Sequence, residues 1–189
     1  MIKNVRLEPL SNPRFIEPAR MFYEEHGIEK SWELIRAHDS VAILLYNTDR
    51  EAFVLVRQFR PAVFLANNKG YSYELCAGIL DKAKPLHLIA LEEIEEETGY
   101  HVTPERLEKI TSFYTSVGFA GSRQTLYYAT VSDADKKGQG GGVDVEHIEV
   151  IHLPVGDAKR FLFDEAQVKT PGLMFAFMWF FERNPKQPG

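Results

Sequence analysis

The segment GILDKAKPLHLIALEEIEEETGY, residues 78–100, is the most informative part of the chain. It predicts a turn followed by a helix that ends in a run of acidic residues. Five of the six residues 92–97 are glutamates and none is basic. Residues three and four apart are neighbours on a helix, so Glu93, Glu96 and Glu97 share one face and repel each other. The negative C-terminal end of the helix dipole disfavours them further.

Two interpretations of this acidic face stay open on the residues alone. A divalent cation would offset both penalties, since hard ions such as Mg²⁺ and Mn²⁺ bind carboxylate oxygens. At about 100° per residue, Leu86, Ile89 and Ala90 fall on the same side as the three glutamates, which places the acids at the edge of a cleft. The alternative is a solvated, acidic end of a surface helix.

The spacing of this segment resembles the signature of the Nudix hydrolases, G-x5-E-x7-R-E-U-x-E-E-x-G-U, in which U is a bulky apolar residue. Gly78, the three glutamates Glu93, Glu96 and Glu97, and Gly99 match it in register. The resemblance implies that these glutamates bind metal, and that the main-chain carbonyl before the first glycine, that of Ala77, is a further metal ligand.

Two positions depart from the signature. Lys84 stands where the family has glutamate, and Glu92 stands where it has arginine. Because the two changes have opposite signs, we interpret them as a charge swap that keeps an ion pair, in preference to decay of the site. The hypothesis requires that Lys84→Glu alone impair metal binding and turnover.

The resemblance also implies a fold and an assembly. We expect an α+β protein, a Nudix α/β/α sandwich with a mixed sheet and a central glutamate-rich helix. Residues 1–38 would form an N-terminal arm and strand exchanged across a homodimer, and residues 39–189 the hydrolase domain. The residues alone support an α+β domain with strands before and after one helix; they do not predict the dimer.

Several strings outside the signature are similar to the UDP-glucose (UDP-sugar) pyrophosphatase branch of the family, above all SVGFAGSRQT and LVRQFRPAV. The branch implies Mg²⁺-dependent hydrolysis, with Mn²⁺ an alternative, of the pyrophosphate bond of a nucleoside diphosphate sugar. UDP-glucose would give UMP and glucose 1-phosphate. Two alternatives stay open: an ADP-ribose pyrophosphatase, giving AMP and ribose 5-phosphate, and a catalytically silent, nucleotide-binding domain.

Further side chains are candidates for the substrate and for the attacking water. The string QFRP is similar to a stretch in the nucleotide-sugar members of the family, which implies that Arg60 contacts the substrate phosphates; the alternative is a solvated arginine at the end of a strand. Arg123 is a further candidate for the phosphate oxygens, and Trp32 is either a core residue or a platform that stacks on a base. In the glycine-rich segment KKGQGGGVDVEHIEV, read as a mobile connector, Glu146 is the candidate general base, with Asp144 as the alternative.

The remaining segments carry clear strand and helix signals. Residues 40–46 and 52–59 predict a hairpin around the turn NTDRE, ended by Pro61, and residues 65–70 a polar loop. Further strands are predicted within 71–78, 106–118, 124–131 and 145–153. The last helix, LMFAFMWFFER, is apolar nearly all round, so we expect it to be buried.

Composition excludes several classes of protein. The 189 residues suit one domain, and the net charge of −5 argues against a nucleic-acid partner. The single cysteine, Cys76, excludes an internal disulfide framework. The N-terminus has no signal-peptide core, and the apolar run 173–181 is too short to span a membrane. We therefore expect a cytoplasmic protein.

Overall fold

The computed structural model describes residues 2–81, 83–143 and 146–185. Over these residues the chain forms strands and helices in an α+β order. They are β1 Ile16–Glu25, β2 Ile28–Ala37, β3 Ser40–Asn47, β4 Ala52–Phe59, α1 Pro61–Asn67, β5 Tyr71–Glu74, β6 Cys76–Ile79, α2 Leu86–Glu93, β7 Glu108–Thr115, β8 Ser122–Val131, β9 Ile148–Pro154, α3 Val155–Phe163 and α4 Pro171–Arg183.

Strands β3 to β9 form one mixed, branched sheet. Its path is β5-β4-β3-β8-β7, with β6 also paired to β3 and β9 to β4. The β3–β8 pair is parallel and the other pairs are antiparallel. The first half of β3 pairs with β6 and its last three residues pair with β4, so the segment predicted as one strand, 71–78, divides into β5 and β6 at Leu75.

Two apolar cores lie on opposite faces of this sheet. Helices α3 and α4 pack on one face, where Phe53, Phe177 and Phe180 meet. Helix α2 packs on the other face through Ile89 and Ala90. Buried strand β3 supplies alternate side chains to both cores, as a central strand of a layered α/β structure does. The expected mixed α/β/α fold is confirmed.

Most predicted elements are present, and the exceptions have clear causes. The β3–β4 hairpin and the strands β7, β8 and β9 lie where the pattern placed them. Helix α1 was missed, because Pro61 was read as the end of a strand; a proline at the first helical position also starts a helix. Helix α4 buries only one face, since Met174 and Met178 are 38% and 55% exposed.

The N-terminal segment, residues 1–38, was expected to contain an arm and a strand, and the structure has two strands there. Strands β1 and β2 form a separate two-stranded hairpin, joined by a tight turn at His26–Gly27, where both residues have positive φ. The hairpin contacts the main body through the loop after β7: the Ile35 N–H donates to the Phe119 carbonyl at 2.8 Å. Exchange of this arm across a homodimer stays a prediction.

The helices of the described residues are all too short or too polar to cross a membrane. The cytoplasmic location expected from the sequence stays a prediction.

Candidate active site

The glutamate-rich helix changes its winding where the acids begin. Helix α2 ends at Glu93 and continues as a π-helical turn, Ile94–Thr98, which stops at Gly99 with a φ of 69°. The wider i→i+5 turn alters the angular spacing expected for an α-helix, and such turns are frequent at functional sites. It buries Glu97 and leaves Glu95 exposed. Gly99 takes the left-handed conformation with which helices commonly end.

Glu97 is the most enclosed acid of the cluster. Glu97 is only 5% exposed, and its Oε2 accepts a hydrogen bond from the Ala77 N–H at 3.0 Å. Burial raises the pKa of Glu97 to about 8, against the lowering effect of hydrogen bonds from Ala77 and the Cys76 thiol. The carboxylates Glu93 and Glu146 contribute to this rise. The ionised form is therefore costly unless positive charge is supplied.

Glu93 lies against the strand that precedes the helix, and this explains the glycine at the start of the signature. A Cβ built on Gly78 would stand 2.0 Å from Glu93 Oε1. Any larger residue would displace the carboxylate. Strand β6, helix α2 and its π turn thus bring Ala77, Gly78, Glu93 and Glu97 together.

Glu146 approaches the cluster on the glycine-rich segment, and the mobility expected of this segment stays a prediction. The Gly141 N–H donates to the Glu97 carbonyl at 2.8 Å and the Gly142 N–H donates to the Glu96 carbonyl at 3.1 Å. The segment is thereby hydrogen-bonded to the end of the glutamate helix. The exposed Glu146 carboxylate accepts the Val143 N–H at 3.1 Å. Asp144, the alternative base, lies outside the described residues.

Arg60 stands beside these acids, held by a residue that sequence reasoning missed. Its Nε and Nη2 donate to the two carboxylate oxygens of Glu74 at 2.8 and 2.7 Å. This hydrogen bonding raises the pKa of Arg60, and the charges of Glu97 and Glu146 add to the effect. Glu74 is 8% exposed and also accepts a hydrogen bond from the Ser72 hydroxyl. The sequence carried one signal for this role: Glu74 is the single charged residue in the otherwise uncharged string YSYELCAG.

A cavity of about 340 Å³ opens beside this pair, on the face of the sheet where α4 packs. Its walls carry hydroxyl and amide groups next to aromatic rings, which suits a hydroxyl-rich ligand. Among its lining residues are Glu74, Ala77, Phe113, Ser116, Gln124 and Thr170.

Two substrate candidates lie elsewhere. Arg123 is exposed on β8, and its main-chain N–H, not its guanidinium, is bonded, to Asp39 at 2.8 Å. It does not line the cavity. Trp32 is 57% exposed on the N-terminal hairpin, so its interpretation as a core residue is wrong. Its indole N–H donates to the Gly118 carbonyl at 2.7 Å, which ties it to the loop that follows β7.

The described residues have the ligand chemistry that a hard divalent cation requires, but their side chains are not arranged as a complete ligand set. Glu93, Glu96, Glu97 and Glu146 offer carboxylate oxygens of the kind that such ions prefer, and the mutual repulsion of Glu97 with Glu93 and Glu146 is what a cation would relieve. Across the described ranges, however, no three acidic, histidine or cysteine side chains already converge as a ligand set.

The departures from the signature form the ion pair expected of them. Lys84 Nζ donates to Glu92 Oε1 at 2.6 Å, and both side chains are about two-fifths exposed, 42% and 38%. The two residues that differ from the signature therefore carry opposite charges and pair, with Lys84 just before α2 and Glu92 near its end.

Comparison with known proteins agrees with this architecture. The model of the NUDIX domain matches residues 36–171, which include all the carboxylates of the site. The chain belongs to the NUDIX family. Nudix hydrolases generally need a divalent metal ion.

Within the family, the chain is similar to proteins that act on nucleotide sugars. It is 38% identical to the uridine diphosphate glucose pyrophosphatase NUDT14 of Bos taurus, with 88% of each chain covered. It is 37% identical to the protein of that name from Mus musculus, with 89% of each covered. The GDP-mannose pyrophosphatase of Cronobacter sakazakii is 41% identical over 64% of this chain and 62% of its own length.

Proposed function

We propose that this Nudix protein hydrolyses the pyrophosphate bond of a nucleoside diphosphate sugar, with UDP-glucose as the preferred substrate and UMP and glucose 1-phosphate as products. One observation carries the proposal. The buried Glu97 carboxylate lies within electrostatic range of the Glu93 and Glu146 carboxylates and of Arg60, whose guanidinium is already oriented by Glu74. The similarity to uridine diphosphate glucose pyrophosphatases over most of the chain supports the choice of substrate.

The carboxylates would hold the cation, for which we propose Mg²⁺. Glu93, Glu96, Glu97 and the Ala77 carbonyl are its proposed ligands. A bound divalent ion neutralises pyrophosphate charge and acidifies water, chemistry that the site needs because its own groups are mostly anionic.

Arg60 would hold the substrate's non-bridging phosphate oxygens. A guanidinium has five N–H donors, and only two donating atoms, Nε and Nη2, are engaged by Glu74. The remaining donors stay available for phosphate, and the Glu74 carboxylate fixes the plane of the fork before substrate arrives. Arg123 has no such support, and its proposed role is the weaker of the two.

Glu146 would take a proton from the attacking water. In the reaction the water oxygen bonds to phosphorus, the bridging P–O bond breaks, and the water proton passes to the carboxylate. The link from Val143 to Glu146 turns the carboxylate towards its own loop, so this step requires a rotation of the side chain. Trp32 would stack on the base, and the hairpin that carries it would be exchanged within a homodimer.

A second substrate is favoured by a specific observation, the 41% identity to a GDP-mannose pyrophosphatase. The chemistry at phosphorus would be the same, and the base pocket would differ. ADP-ribose stands as the third substrate to test. A silent, nucleotide-binding domain is disfavoured by the retained Lys84–Glu92 pair and by the three glutamates, since a site released from function has no reason to keep mutually repelling acids.

The test is release of phosphate monoester from UDP-glucose, GDP-mannose and ADP-ribose with Mg²⁺, with Mn²⁺ and with EDTA. We expect turnover of UDP-glucose to be fastest, to stop with EDTA, and to fall at least about 100-fold in Glu97→Gln. No turnover of any of the three by folded protein, or a Glu97→Gln variant as active as the wild type, would contradict the proposal.

A further inference from the structure

The end of the glutamate helix is capped by a segment far away in sequence. Residues 136–142, which we call the glycine strap, run along the last turn of this helix. In addition to the bonds to Glu96 and Glu97, the N–H groups of Lys137 and Gly138 donate to the Gly99 carbonyl at 2.8 and 3.1 Å. Main-chain carbonyls at a helix end otherwise lack partners, so the strap completes the helix that holds the acids.

One side chain joins this strap to the helix. The Lys136 ammonium donates to the Thr98 carbonyl, at the end of the π turn, and to the Gln139 carbonyl within the strap at 3.3 Å. It also lies 4.8 Å from the centre of the Tyr100 ring. A cation at the C-terminal end of a helix is favoured by the helix dipole, and the Lys136 ammonium lies at that end.

The strap in turn determines where Glu146 is. The Ile148 N–H donates to the Gly141 carbonyl at 3.1 Å, which closes the loop on itself. A Cβ on Gly142 would stand 2.7 Å from Glu146 Cβ and Oε2, so the glutamate packs directly on the strap. The strap therefore connects the helix that carries Glu97 to the loop that carries Glu146.

We propose that Lys136 is a positioning residue of the carboxylate site: it fastens the glycine strap to the glutamate helix and so keeps Glu146 beside Glu97. The inference rests on the proposed function for its consequence in catalysis, and on hydrogen bonds alone for its structural part. Lys136 touches neither substrate nor metal in this scheme. It acts through the strap.

Lys136→Met and Lys137→Met form a matched pair for the test. Lys137 is the adjacent lysine, and its ammonium donates to the Ala134 carbonyl, not to the helix end. In metal-free protein, we expect the amides of residues 138–142 to exchange hydrogen about tenfold faster in Lys136→Met, with strand β3 unchanged. We expect its affinity for Mn²⁺, measured by calorimetry without substrate, to fall roughly tenfold. Lys137→Met should match the wild type, and Lys136→Arg, which keeps a charged donor, should recover most of the affinity.

A second pair of variants tests the strap if Lys136→Met does not fold. Gly140 has a φ of 72°, and its Cβ would stand 2.5 Å from the Glu97 carbonyl, so Gly140→Ala should lift the strap and weaken Mn²⁺ binding similarly. The control is Gly156→Ala, where a Cβ meets nothing within 4 Å.

Unchanged strap exchange and unchanged Mn²⁺ affinity in folded Lys136→Met, or in Gly140→Ala where Lys136→Met does not fold, would overturn the inference. Equally faster exchange across the whole protein, with the affinity kept, would also overturn it, because Lys136 would then be only a stabilising residue. Neither readout requires turnover. If the wild type hydrolyses no nucleotide sugar but the variants still show faster strap exchange and weaker Mn²⁺ binding, the proposed function is contradicted and the inference about the strap is supported.

Discussion

Arg60 reaches the candidate site already bound to Glu74, and this pair is the least expected feature at the scale of single residues. An arginine that must find its geometry only when substrate arrives loses conformational freedom on binding. The Glu74 carboxylate, 11% exposed as a side chain, removes that cost beforehand. The nearby Arg57–Glu149 pair has a similar distance, 2.8 Å, but its carboxylate is 59% exposed.

Glu74→Gln tests whether this support matters. The amide keeps the size of the side chain but loses the charge that orients the guanidinium. We expect the KM for UDP-glucose to rise about tenfold with a smaller change in kcat, and the free energy of unfolding to fall by about 1–3 kcal/mol. Steady-state kinetics and urea unfolding measure both. Glu149→Gln is the matched control and should change stability by less than about 1 kcal/mol. Equal effects of the two variants would contradict the assigned role.

The Lys84–Glu92 pair gives a second prediction at this scale. Lys84→Glu places two like charges together near the acidic helix, so we expect severalfold weaker Mn²⁺ binding and lower turnover. Adding Glu92→Lys restores opposite charges and should recover both. Because the pair is well exposed, its coupling energy in a double-mutant cycle should be only about 0.2–1 kcal/mol. Full activity and metal affinity in Lys84→Glu alone would mean that the pair has no role in the site.

These residues also show what one sequence can and cannot disclose. The three glutamates and Gly78 were predictable, because a helix fixes the relation of residues a few positions apart and the signature supplied the turn. Glu74 was not, because its partnership with Arg60 depends on the register of β4 against β5, in which Val56 faces Glu74. Contacts of that kind depend on how strands pair in the sheet, which the spacing of residues along the chain does not show.

At the scale of elements, the π turn and α1 were missed for the same reason. Propensity does not distinguish an α turn from a π turn, and Pro61 suits both the end of a strand and the start of a helix. The contact of the glycine strap with the helix end was not predicted, because a run of glycines gives no sign of the helix end on which it packs. A strand and its hairpin turn, by contrast, were readable in β3 and β4 from alternation and turn residues alone.

Asp135 secures the corner from which the strap begins, and it gives a prediction about pH. Arg106 donates to both of its carboxylate oxygens at 2.8 and 2.9 Å, and Ser132 caps the same turn. The Arg106 hydrogen bonds hold the pKa of Asp135 well below its usual range. The resulting stabilisation is fully present above the ordinary aspartate pKa of about 3.9 and is lost as the pH falls from there through the folded-state pKa.

Asp135→Asn should therefore lower the free energy of unfolding by about 1–2 kcal/mol at pH 7, and the difference from the wild type should shrink as the pH falls below about 4. Urea unfolding at several pH values measures this. Asp157→Asn, which removes an exposed partner of Arg160, is the control and should stay within about 0.5 kcal/mol. A wild-type advantage that is constant with pH would show that the Asp135 charge does not stabilise this corner.

At the scale of the whole molecule, the N-terminal hairpin stands apart from the layered domain. It is a two-stranded ribbon whose β1 residues are almost all exposed, and an isolated ribbon of two strands is marginal in water. Met21 and Trp32, cross-strand neighbours in its register, are 52% and 57% exposed. Exposed apolar surface on such an element is typical of an interface, which supports the proposed homodimer.

Met21→Lys places a charge in the middle of that apolar face without touching the carboxylate site, so it should separate dimerisation from folding. We expect sedimentation velocity to show a dimer for the wild type and a monomer for Met21→Lys, with the unfolding of the layered domain unchanged. Phe163→Lys, an equally conspicuous apolar residue at 77% exposure on α3, should stay dimeric. Because the hairpin carries Trp32, the proposed platform for the base, and would be exchanged within the dimer, loss of the dimer should also raise the KM for UDP-glucose while the affinity for Mn²⁺ is kept. A wild type that is monomeric at every concentration, or a dimeric Met21→Lys, would refute the interface.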